Sequence, residues 1–248
     1  MRQLRAPDGC PWDREQSLSS LQPYLLEESY EVLEVMDGDD AASHREELGD
    51  LLFQVVFQSQ IRAESGAFEL ADVVDGICDK LTRRHPHVFA DEDVSDPEAV
   101  AVRWEELKLA EGKGDIADVS KALPALMRAA KVGKKAAKVG FDWPDIAGPI
   151  AKLREEVDEL ASAVEHESAD RVADELGDVL FAAVNVARHA RVDPELTLRR
   201  TTERFLERFQ WVRNTLREDG VELGRDDVDL ATLDTLWEEA KRTLERAH

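Results

Sequence analysis

Cysteine is nearly absent from this sequence. Cys10 and Cys78 are its only two cysteines, and they form no metal-ligand spacing. Isolated cysteines of this kind are typical of reduced, structural thiols inside cells. No run of about 18 apolar residues occurs, which argues against a membrane-spanning helix. The first residues, Met1 to Arg5, have no apolar run behind their charges, so we predict no secretory signal and a cytoplasmic protein.

Basic residues are also few compared with acidic ones. The chain has 32 lysines and arginines against 54 aspartates and glutamates, which gives a formal net charge of -22. A nucleic-acid-binding protein would present basic surface to phosphates, so we expect no nucleic-acid partner. A small polyanion is still a possible ligand, because a bound cation and a local basic cluster can reverse the charge at one site.

Strand-like patterns are missing as well. No run of alternating β-branched residues is long enough to predict a sheet. Long stretches rich in Ala, Leu, Glu and Arg instead carry apolar residues at helical spacing. They cover residues 24–36, 43–64, 98–110, 150–164, 169–190, 195–217 and 230–246. The predicted fold class is all-α.

Two acidic motifs each occur twice, in the same order. Glu-Glu-x-x-Glu at 27–31 recurs at 155–159, and Glu-Leu-Gly-Asp at 47–50 recurs at 175–178 with the same offset. Further residues keep this order in both copies: Trp12 with Trp143, Lys80 with Arg204, Arg84 with Arg208, Trp104 with Trp237, and Lys108 with Lys241. Because only loop lengths differ, the sequence indicates duplication of one module.

The duplication predicts two domains. We place an N-terminal module at residues 1–112, a polar, glycine-bearing linker at 113–120 and a C-terminal module at 121–248. The second copy begins with a helix-like segment, residues 123–138, that the first copy largely lacks. Six basic residues and no acidic one lie between Lys121 and Lys138. This segment is either a polyanion-facing patch or a counter-charged interface.

Acidic residues of the second copy fall on one face of each of two predicted helices. On the first helix, helical spacing aligns Lys152, Glu155, Glu156 and Glu159. On the second helix, it aligns Arg171, Glu175, Asp178, Ala182 and Asn185. Separate apolar stripes are predicted to face the core. They are Leu153, Val157, Leu160 and Val164 on the first helix, and Val172, Leu176, Val179 and Ala183 on the second.

A short connection lets these two helices pack antiparallel, so that four carboxylates converge. The four are Glu156, Glu159, Glu175 and Asp178. Like charges stacked on facing helices repel, and a divalent cation would relieve that repulsion. Oxygen ligands without histidine or cysteine favour magnesium, or manganese, over zinc. A solvated helix face is the alternative, but duplication of the whole set favours a metal site.

Basic and aromatic residues downstream suggest groups that bind a phosphorylated ligand. Arg204 and Arg208 lie one helical turn apart, and arginine forks suit phosphate oxygens, although an ordinary surface pair is the alternative. Trp237 and Lys241 could stack a base and reach a phosphate, although tryptophan on a helix is more often core. Asn185 lies two turns beyond the acidic motif, where its amide could contact a sugar or base.

Taken together, these motifs resemble one family over essentially the whole chain. They are Gly-Cys-Pro-Trp-Asp at 9–13, the two acidic motifs in both halves, Arg-Arg-His-Pro-His-Val-Phe at 83–89, and Val-Gly-Phe-Asp-Trp at 139–143. The chain resembles the MazG nucleoside triphosphate pyrophosphohydrolases of the all-α NTP pyrophosphatase superfamily. That resemblance implies a homodimer in which dimerisation completes four-helix arrangements. It also implies magnesium-dependent hydrolysis of a nucleoside triphosphate to a monophosphate and pyrophosphate.

The resemblance also implies roles for individual residues. The metal ligands would be Glu156, Glu159, Glu175 and Asp178, and their counterparts Glu28, Glu31, Glu47 and Asp50. The phosphate contacts would be Lys152, Arg171, Arg204, Arg208 and Lys241, with Trp237 and Asn185 near the nucleoside. Arginines at 171 and 204 stand where lysines are expected. Glu155 or a ligating glutamate would accept a proton from the attacking water.

The two halves are not equivalent. Tyr24, Ser43 and Phe57 replace Lys152, Arg171 and Asn185 in the first half. We therefore expect hydrolysis mainly in the second half. Two alternative functions stay open: a narrower dCTP, dUTP or phosphoribosyl-ATP pyrophosphatase, and a non-enzymatic scaffold that binds nucleotide.

Overall fold

The structure, a computed structural model, describes residues 1–36, 38–90, 96–111, 115–218, 220–221 and 228–245. These residues form helices and connecting segments and contain no β-strand, which confirms the all-α class. The chain divides into two compact units, Met1–Lys108 and Leu109–His248. Among the described helices, none has both the length and the apolar composition that a membrane crossing requires.

The first unit is built around one antiparallel helix pair. Its helices are α1 (Pro11–Glu15), α2 (Gln22–Val35), α3 (Ala41–Glu64), α4 (Leu70–Arg84), α5 (Pro86–Phe89) and α6 (Pro97–Ala110). Helix α2 packs along α3, and α4 contacts both α3 and α5. The Arg5 side chain ties the N-terminal segment to the end of α3, where its Nη2 lies 2.7 Å from Oε2 of Glu64.

The second unit repeats the helix pair and adds a helix beside it. Its elements are a 3-10 helix (Ile116–Asp118), α7 (Ala125–Lys138), α8 (Ala147–His166), α9 (Ala169–His189), α10 (Pro194–Glu218) and α11 (Leu230–Leu244). The most extensive packing is between α8 and α9, while α7 lies against α9 and α10. The 3-10 helix falls inside the predicted linker, and Lys135 of α7 donates a hydrogen bond to the carbonyl of Asp115.

Polar caps fix the start of the second helix of each pair. The Asp40 carboxylate accepts from the backbone N–H of Ala42 at 2.9 Å, where α3 begins. Ser168 takes the same position before α9 and accepts from the backbone N–H of Arg171. A cap of this kind stabilises a helix by about 1 kcal/mol. In both units a side-chain cap therefore stabilises the N-terminus of the helix that carries the Glu-Leu-Gly-Asp motif.

The apolar stripes of α8 and α9 are only partly shielded in the single chain. Four of their residues are half-buried: Leu153, Leu160, Val172 and Val179. The prediction that the stripes face a core is wrong for Val157 and Val164, which are 47% and 65% exposed, and for Leu176, which is 47% exposed. The buried positions of the two helices include Ala163 and Ala182. Because alanine side chains are short, the helices approach along the stripe that carries the carboxylates, and Val157, Val164 and Leu176 are left outside.

Sequence patterns also missed a helix. Residues 70–84 form α4, although Val73, Val74 and Gly76 have low helix propensity. A capping box marks its start, because the backbone N–H of Glu69 donates to the Asp72 carboxylate at 2.7 Å. Asp72 thus has the part of the acidic third residue of a capping box, although Glu69 is not the usual Ser or Thr at the N-cap.

Two glycines of the first unit should respond oppositely to a methyl group. A Cβ at Gly9 would clash with the backbone oxygens of Gln3 and Leu4, so Gly9→Ala should destabilise the unit by about 1–3 kcal/mol. Gly76 has open space on α4, so Gly76→Ala should stabilise it by up to about 1 kcal/mol. Thermal unfolding followed by circular dichroism measures both shifts. If the unfolding temperature of both variants shifts by the same amount in the same direction, the close backbone approach at Gly9 is contradicted.

Candidate metal and substrate site

Three carboxylates of the second unit meet between α8 and α9. Glu156, Glu175 and Asp178 each offer an oxygen atom, and these atoms lie within 4.8 Å of one another. Glu156 and Glu175 are buried, whereas Asp178 is exposed. Two adjacent acidic side chains removed from water repel strongly unless a positive charge accompanies them. The structure thus brings together three of the four predicted ligands.

The fourth predicted ligand, Glu159, lies on the exposed side of α8. Burial raises the pKa of its carboxyl group above the ordinary value, and the charges of Glu156 and Glu175 raise it further, although Lys152 opposes the shift. The repulsion shows that Glu159 is near the acidic cluster without belonging to its inner set.

Two cations of the second unit already pair with the acidic cluster. The Lys152 ammonium lies 2.7 Å from Oε1 of Glu156 and 2.6 Å from Oε1 of Glu155. Arg171 donates to Glu175 through Nη2 and to Glu167 through Nε at 3.2 Å. The hydrogen bond to Glu155, followed by that to Glu156, raises the pKa of Lys152 above its usual range. Lys152 and Arg171, two of the five residues predicted to contact phosphate, therefore neutralise carboxylates of the cluster in this structure.

Glu155, the predicted base, is held by that lysine. It is exposed and does not belong to the group of three converging carboxylates. Its Oε1 accepts a hydrogen bond from Nζ of Lys152. Glu155 thus lies beside the cluster rather than in it.

The first unit repeats the acidic cluster without these cations. Glu28, Glu47 and Asp50 also place oxygen atoms within 4.8 Å of one another. Burial raises the pKa of Glu28, and contact with Glu31 raises it further. Burial and the charge of Glu31 likewise raise the pKa of Glu47. Glu31 is exposed and stands at the edge of its cluster, as Glu159 does in the second unit.

The donor set of both clusters fits a hard divalent cation. Each cluster is made only of carboxylate oxygens, drawn from two different helices. Magnesium and manganese prefer such oxygen ligands, and a zinc site would ordinarily include histidine or cysteine. Glu156, Glu175 and Asp178 could hold the ion in the second unit, and Glu28, Glu47 and Asp50 in the first.

The downstream phosphate candidates share the α10–α11 pair. Arg208 donates to Oε1 of Glu245 at 3.1 Å, and Lys241 lies 2.6 Å from Oε1 of Glu238. Arg204 donates to the Thr201 hydroxyl at 3.1 Å. The structure thus groups these three basic residues on α10 and α11, while the carboxylates lie on α8 and α9.

Trp237 packs in the interior of the same helix pair. Its ring centroid lies 5.0 Å from that of Phe205, and it covers the buried cluster of Val212, Leu216 and Ala240. This agrees with the interpretation of Trp237 as partly a core residue. Trp237 is half-buried, so part of its surface stays exposed to solvent.

Asn185 is buried at the far end of α9, where it belongs to a network that sequence patterns missed. Its Oδ1 accepts from Nη2 of Arg188 at 3.2 Å, and Arg188 also binds the Asp142 carboxylate. Asp142 lies within the Val-Gly-Phe-Asp-Trp motif at 139–143, which was the available signal. No pattern in the sequence connected Arg188 with it, because the two residues are distant along the chain.

A family model described as the MazG nucleotide pyrophosphohydrolase domain matches residues 16–89 and 148–216. The two matches confirm the duplication. The chain is 42% identical to a nucleoside triphosphate pyrophosphohydrolase of Escherichia coli K12, over 98% of this chain and 94% of that protein. It is also 42% identical to the nucleoside triphosphate pyrophosphohydrolase/pyrophosphatase MazG of Thermotoga maritima, over 97% of this chain and 92% of that one. An uncharacterised Bacillus subtilis protein, YabN, is 46% identical over the whole chain, which spans 51% of its length.

The raised carboxyl pKa values predict a pH-dependent stability of the metal-free first unit. A raised folded-state pKa means that stability is present at low pH and is lost as pH rises through that pKa. The first unit should therefore unfold at a higher temperature near pH 5 than near pH 8. A pH of about 5 is close to the ordinary pKa of a carboxyl group. Glu47→Gln removes one of these groups and should reduce the difference. Thermal unfolding in a chelator measures it.

Asp75→Asn is the matched control, because Asp75 is an exposed carboxylate on α4. It should leave the pH dependence of unfolding as in the unsubstituted protein. Added magnesium should raise the unfolding temperature of the unsubstituted protein more than that of Glu47→Gln. The interpretation is wrong if both substitutions change the pH dependence equally.

Proposed function

The chain belongs to the MazG family of nucleotide pyrophosphohydrolases, and we propose that it hydrolyses nucleoside triphosphates to monophosphate and pyrophosphate with magnesium, mainly in its second unit. The observation that carries the proposal is the pairing of Lys152 and Arg171 with the buried carboxylates of α8 and α9. A magnesium–triphosphate complex brings both a cation for the carboxylates and an anion for these two side chains. Binding of this complex would therefore replace the ion pairs between these side chains and the carboxylates by two others: carboxylates with magnesium, and Lys152 and Arg171 with phosphate.

The side chains of the second unit have distinct tasks in this proposal. A bound magnesium ion would neutralise triphosphate charge and lower the pKa of a coordinated water. Glu156, Glu175 and Asp178 would hold the ion, and Glu159, on the exposed side of α8, would be a further ligand. Glu155 or one of the ligating glutamates accepts the proton of the attacking water.

The cations bind the substrate once the carboxylates have released them. Lys152 and Arg171 then contact phosphate oxygens, for which the planar arginine fork is well suited. Arg204, Arg208 and Lys241 supply further phosphate contacts from α10 and α11. Trp237 and Asn185 lie toward the nucleoside.

The first unit would bind a metal ion without supporting comparable turnover. Its acidic cluster has the same three ligand types as that of the second unit. Tyr24 and Ser43 stand where the two cations lie in the second unit, and Phe57 stands where Asn185 lies. A triphosphate bound there would therefore lack two positive charges and one amide.

One alternative concerns the substrate specificity, and another concerns whether the chain is an enzyme. A dCTP, dUTP or phosphoribosyl-ATP pyrophosphatase is usually a single-module chain, so the duplication disfavours it. A non-enzymatic scaffold would have no need for intact ligands in both units. The cytoplasmic location and the absence of nucleic-acid and membrane partners stay predictions of the sequence.

We also propose that the chain forms a homodimer through its exposed apolar stripes. The exposed apolar residues of α8 and α9 are Val157, Val164, Leu176, Leu180 and Phe181. In the first unit α3 likewise exposes Leu48, Leu52 and Phe53. Several large apolar side chains exposed on one helix pair favour an interaction site, and a second copy presents the same side chains. Helices from two copies would then complete the four-helix arrangement that the family resemblance implies.

Replacing one ligand in each unit tests where turnover occurs. Glu156→Gln should lower kcat by at least about 100-fold, because it removes a ligand of the reacting complex. Glu28→Gln should leave most of the activity, since the first unit lacks the phosphate-binding cations. Phosphorus NMR of the products from several nucleoside triphosphates, with a magnesium titration, measures both rate and cleavage position.

Three results would contradict this proposal. Release of orthophosphate would show a different cleavage position. Equal loss of turnover in both variants would show that the two units act alike. Hydrolysis that continues undiminished in a chelator would exclude the role of the metal.

Leu180→Glu tests the dimer. A charge buried in the apolar interface has no partner, so the variant should dissociate. Sedimentation equilibrium should give about twice the chain mass of 27.9 kDa for the unsubstituted protein and about that mass for the variant. Leu230→Glu is the control, because Leu230 is exposed on α11, outside these stripes. A monomeric unsubstituted protein would refute the dimer.

A further inference from the structure

One ion pair of the second unit that joins two different segments lies outside the acidic cluster. Arg188 holds the Asp142 carboxylate with two hydrogen bonds, from Nη1 to Oδ2 at 2.8 Å and from Nη2 to Oδ1 at 2.5 Å. Nε2 of His189 lies 3.1 Å from the same Oδ1. The Arg188 guanidinium keeps the pKa of Asp142 well below its usual range. A two-pronged contact of this kind fixes the plane of the arginine.

That fixed arginine determines the orientation of the Asn185 amide. Arg188 approaches Oδ1 of Asn185 with Nη2 at 3.2 Å and Nε at 3.4 Å. Because a guanidinium has donors and no acceptor, the amide oxygen must face it. The amide nitrogen then faces the other way and donates to the carbonyl of Phe181 at 3.3 Å. The second N–H of this amide makes no hydrogen bond with a described residue.

Helix α7 closes the space behind this arrangement. A Cβ on Gly133 would lie 3.1 Å from Oδ1 of Asn185 and 3.2 Å from Nε of Arg188. Both distances are shorter than ordinary van der Waals contact, so only glycine leaves the two side chains undisturbed. The amide is thus confined on one side by backbone and on another by Arg188.

The first unit lacks the whole arrangement. Phe57 stands in place of Asn185, Gln60 in place of Arg188, and Pro11 in place of Asp142. Phe57 is 1% exposed, and the Arg5 guanidinium lies 5.6 Å from its ring centroid. If the Asp142–Arg188 pair only anchored the loop, the first unit could keep it without the asparagine. The pair is absent where the amide is absent, which links it to the amide.

We propose that Arg188, itself held by Asp142, is a positioning residue that turns the Asn185 amide so that it offers an N–H donor to the nucleoside part of the substrate. The inference rests on the proposed nucleotide pyrophosphohydrolase function. Asn185 lies seven residues beyond Asp178, or about 10 Å along α9. That separation suits a nucleoside whose phosphates lie at the acidic cluster. The group recognised is therefore an acceptor: a sugar oxygen, a base carbonyl or an unprotonated ring nitrogen.

A double-mutant cycle tests whether Arg188 acts through Asn185. Arg188→Gln alone should lower kcat/KM for a nucleoside triphosphate about tenfold, mainly through KM, because an oriented hydrogen bond is lost. Asn185→Ala should give a loss of similar size. In the Asn185→Ala background, Arg188→Gln should change kcat/KM by less than about twofold, since the group that it positions is gone. If the Asp142–Arg188 pair only anchored the loop, the two losses in kcat/KM would instead multiply in the double variant.

Asn185→Asp tests the orientation of the amide. The replacement has the same shape and keeps an oxygen facing Arg188, but it offers no N–H donor. It should lose as much affinity as Asn185→Ala for a non-hydrolysable triphosphate analogue, measured by calorimetry. Binding as tight as in the unsubstituted protein would overturn the proposal, because it would mean that the amide accepts from the substrate.

Two controls separate the possible failures. Arg213→Gln removes an exposed arginine of α10 and should leave kcat/KM unchanged. If Arg188→Gln does not fold, Asp142→Asn frees Arg188 with less disruption and should raise KM severalfold. Unsubstituted protein that releases no pyrophosphate would refute the proposed function together with this inference. If the unsubstituted protein is active and both Arg188→Gln and Asp142→Asn have the same kcat/KM as it does, the positioning role of Arg188 is refuted while the proposed function stands.

Discussion

The close approach of two acidic helices is the constraint on which each unit depends. Ala163 and Ala182 let α8 and α9 approach along the stripe that also bears Glu156 and Glu175. Packing is therefore obtained at an electrostatic cost, since two carboxylates are removed from water together. The charge and the solvent exposure of the surrounding side chains determine how that cost is met.

The two units meet this cost differently. In the second unit Lys152 and Arg171 supply positive charge to the cluster. In the first unit Glu28 and Glu47 keep raised pKa values, because burial and neighbouring acids oppose their ionisation. The same helix pair thus carries an acidic cluster that is paired with two cations in the second unit and lacks these cations in the first.

Local patterns predicted much of this chain, and the misses share a physical cause. Helical spacing located α2, α3, α8 and α9, and the repeated motifs located both acidic clusters. The outward direction of Val157 and Leu176 could not be predicted, because a stripe shows which residues share a face and not what covers it. Spacing likewise placed Glu159 with Glu156, whereas the position of each carboxylate depends on the partner helix. The contact of Arg188 with Asp142 joins distant segments and follows only from how α9 meets the loop at 139–143.

The buried position of Phe57 means that the two units differ by more than one side chain there. Phe57 is 1% exposed, and the Arg5 guanidinium, which is hydrogen-bonded to Glu64, lies 5.6 Å from its ring centroid. An asparagine at this position would have to find polar partners where an aromatic ring now packs, and an unsatisfied buried polar group costs about 1–3 kcal/mol. Exchange of this one residue would therefore not give the first unit the amide of the second, since Gln60 and Pro11 stand where Arg188 and Asp142 do.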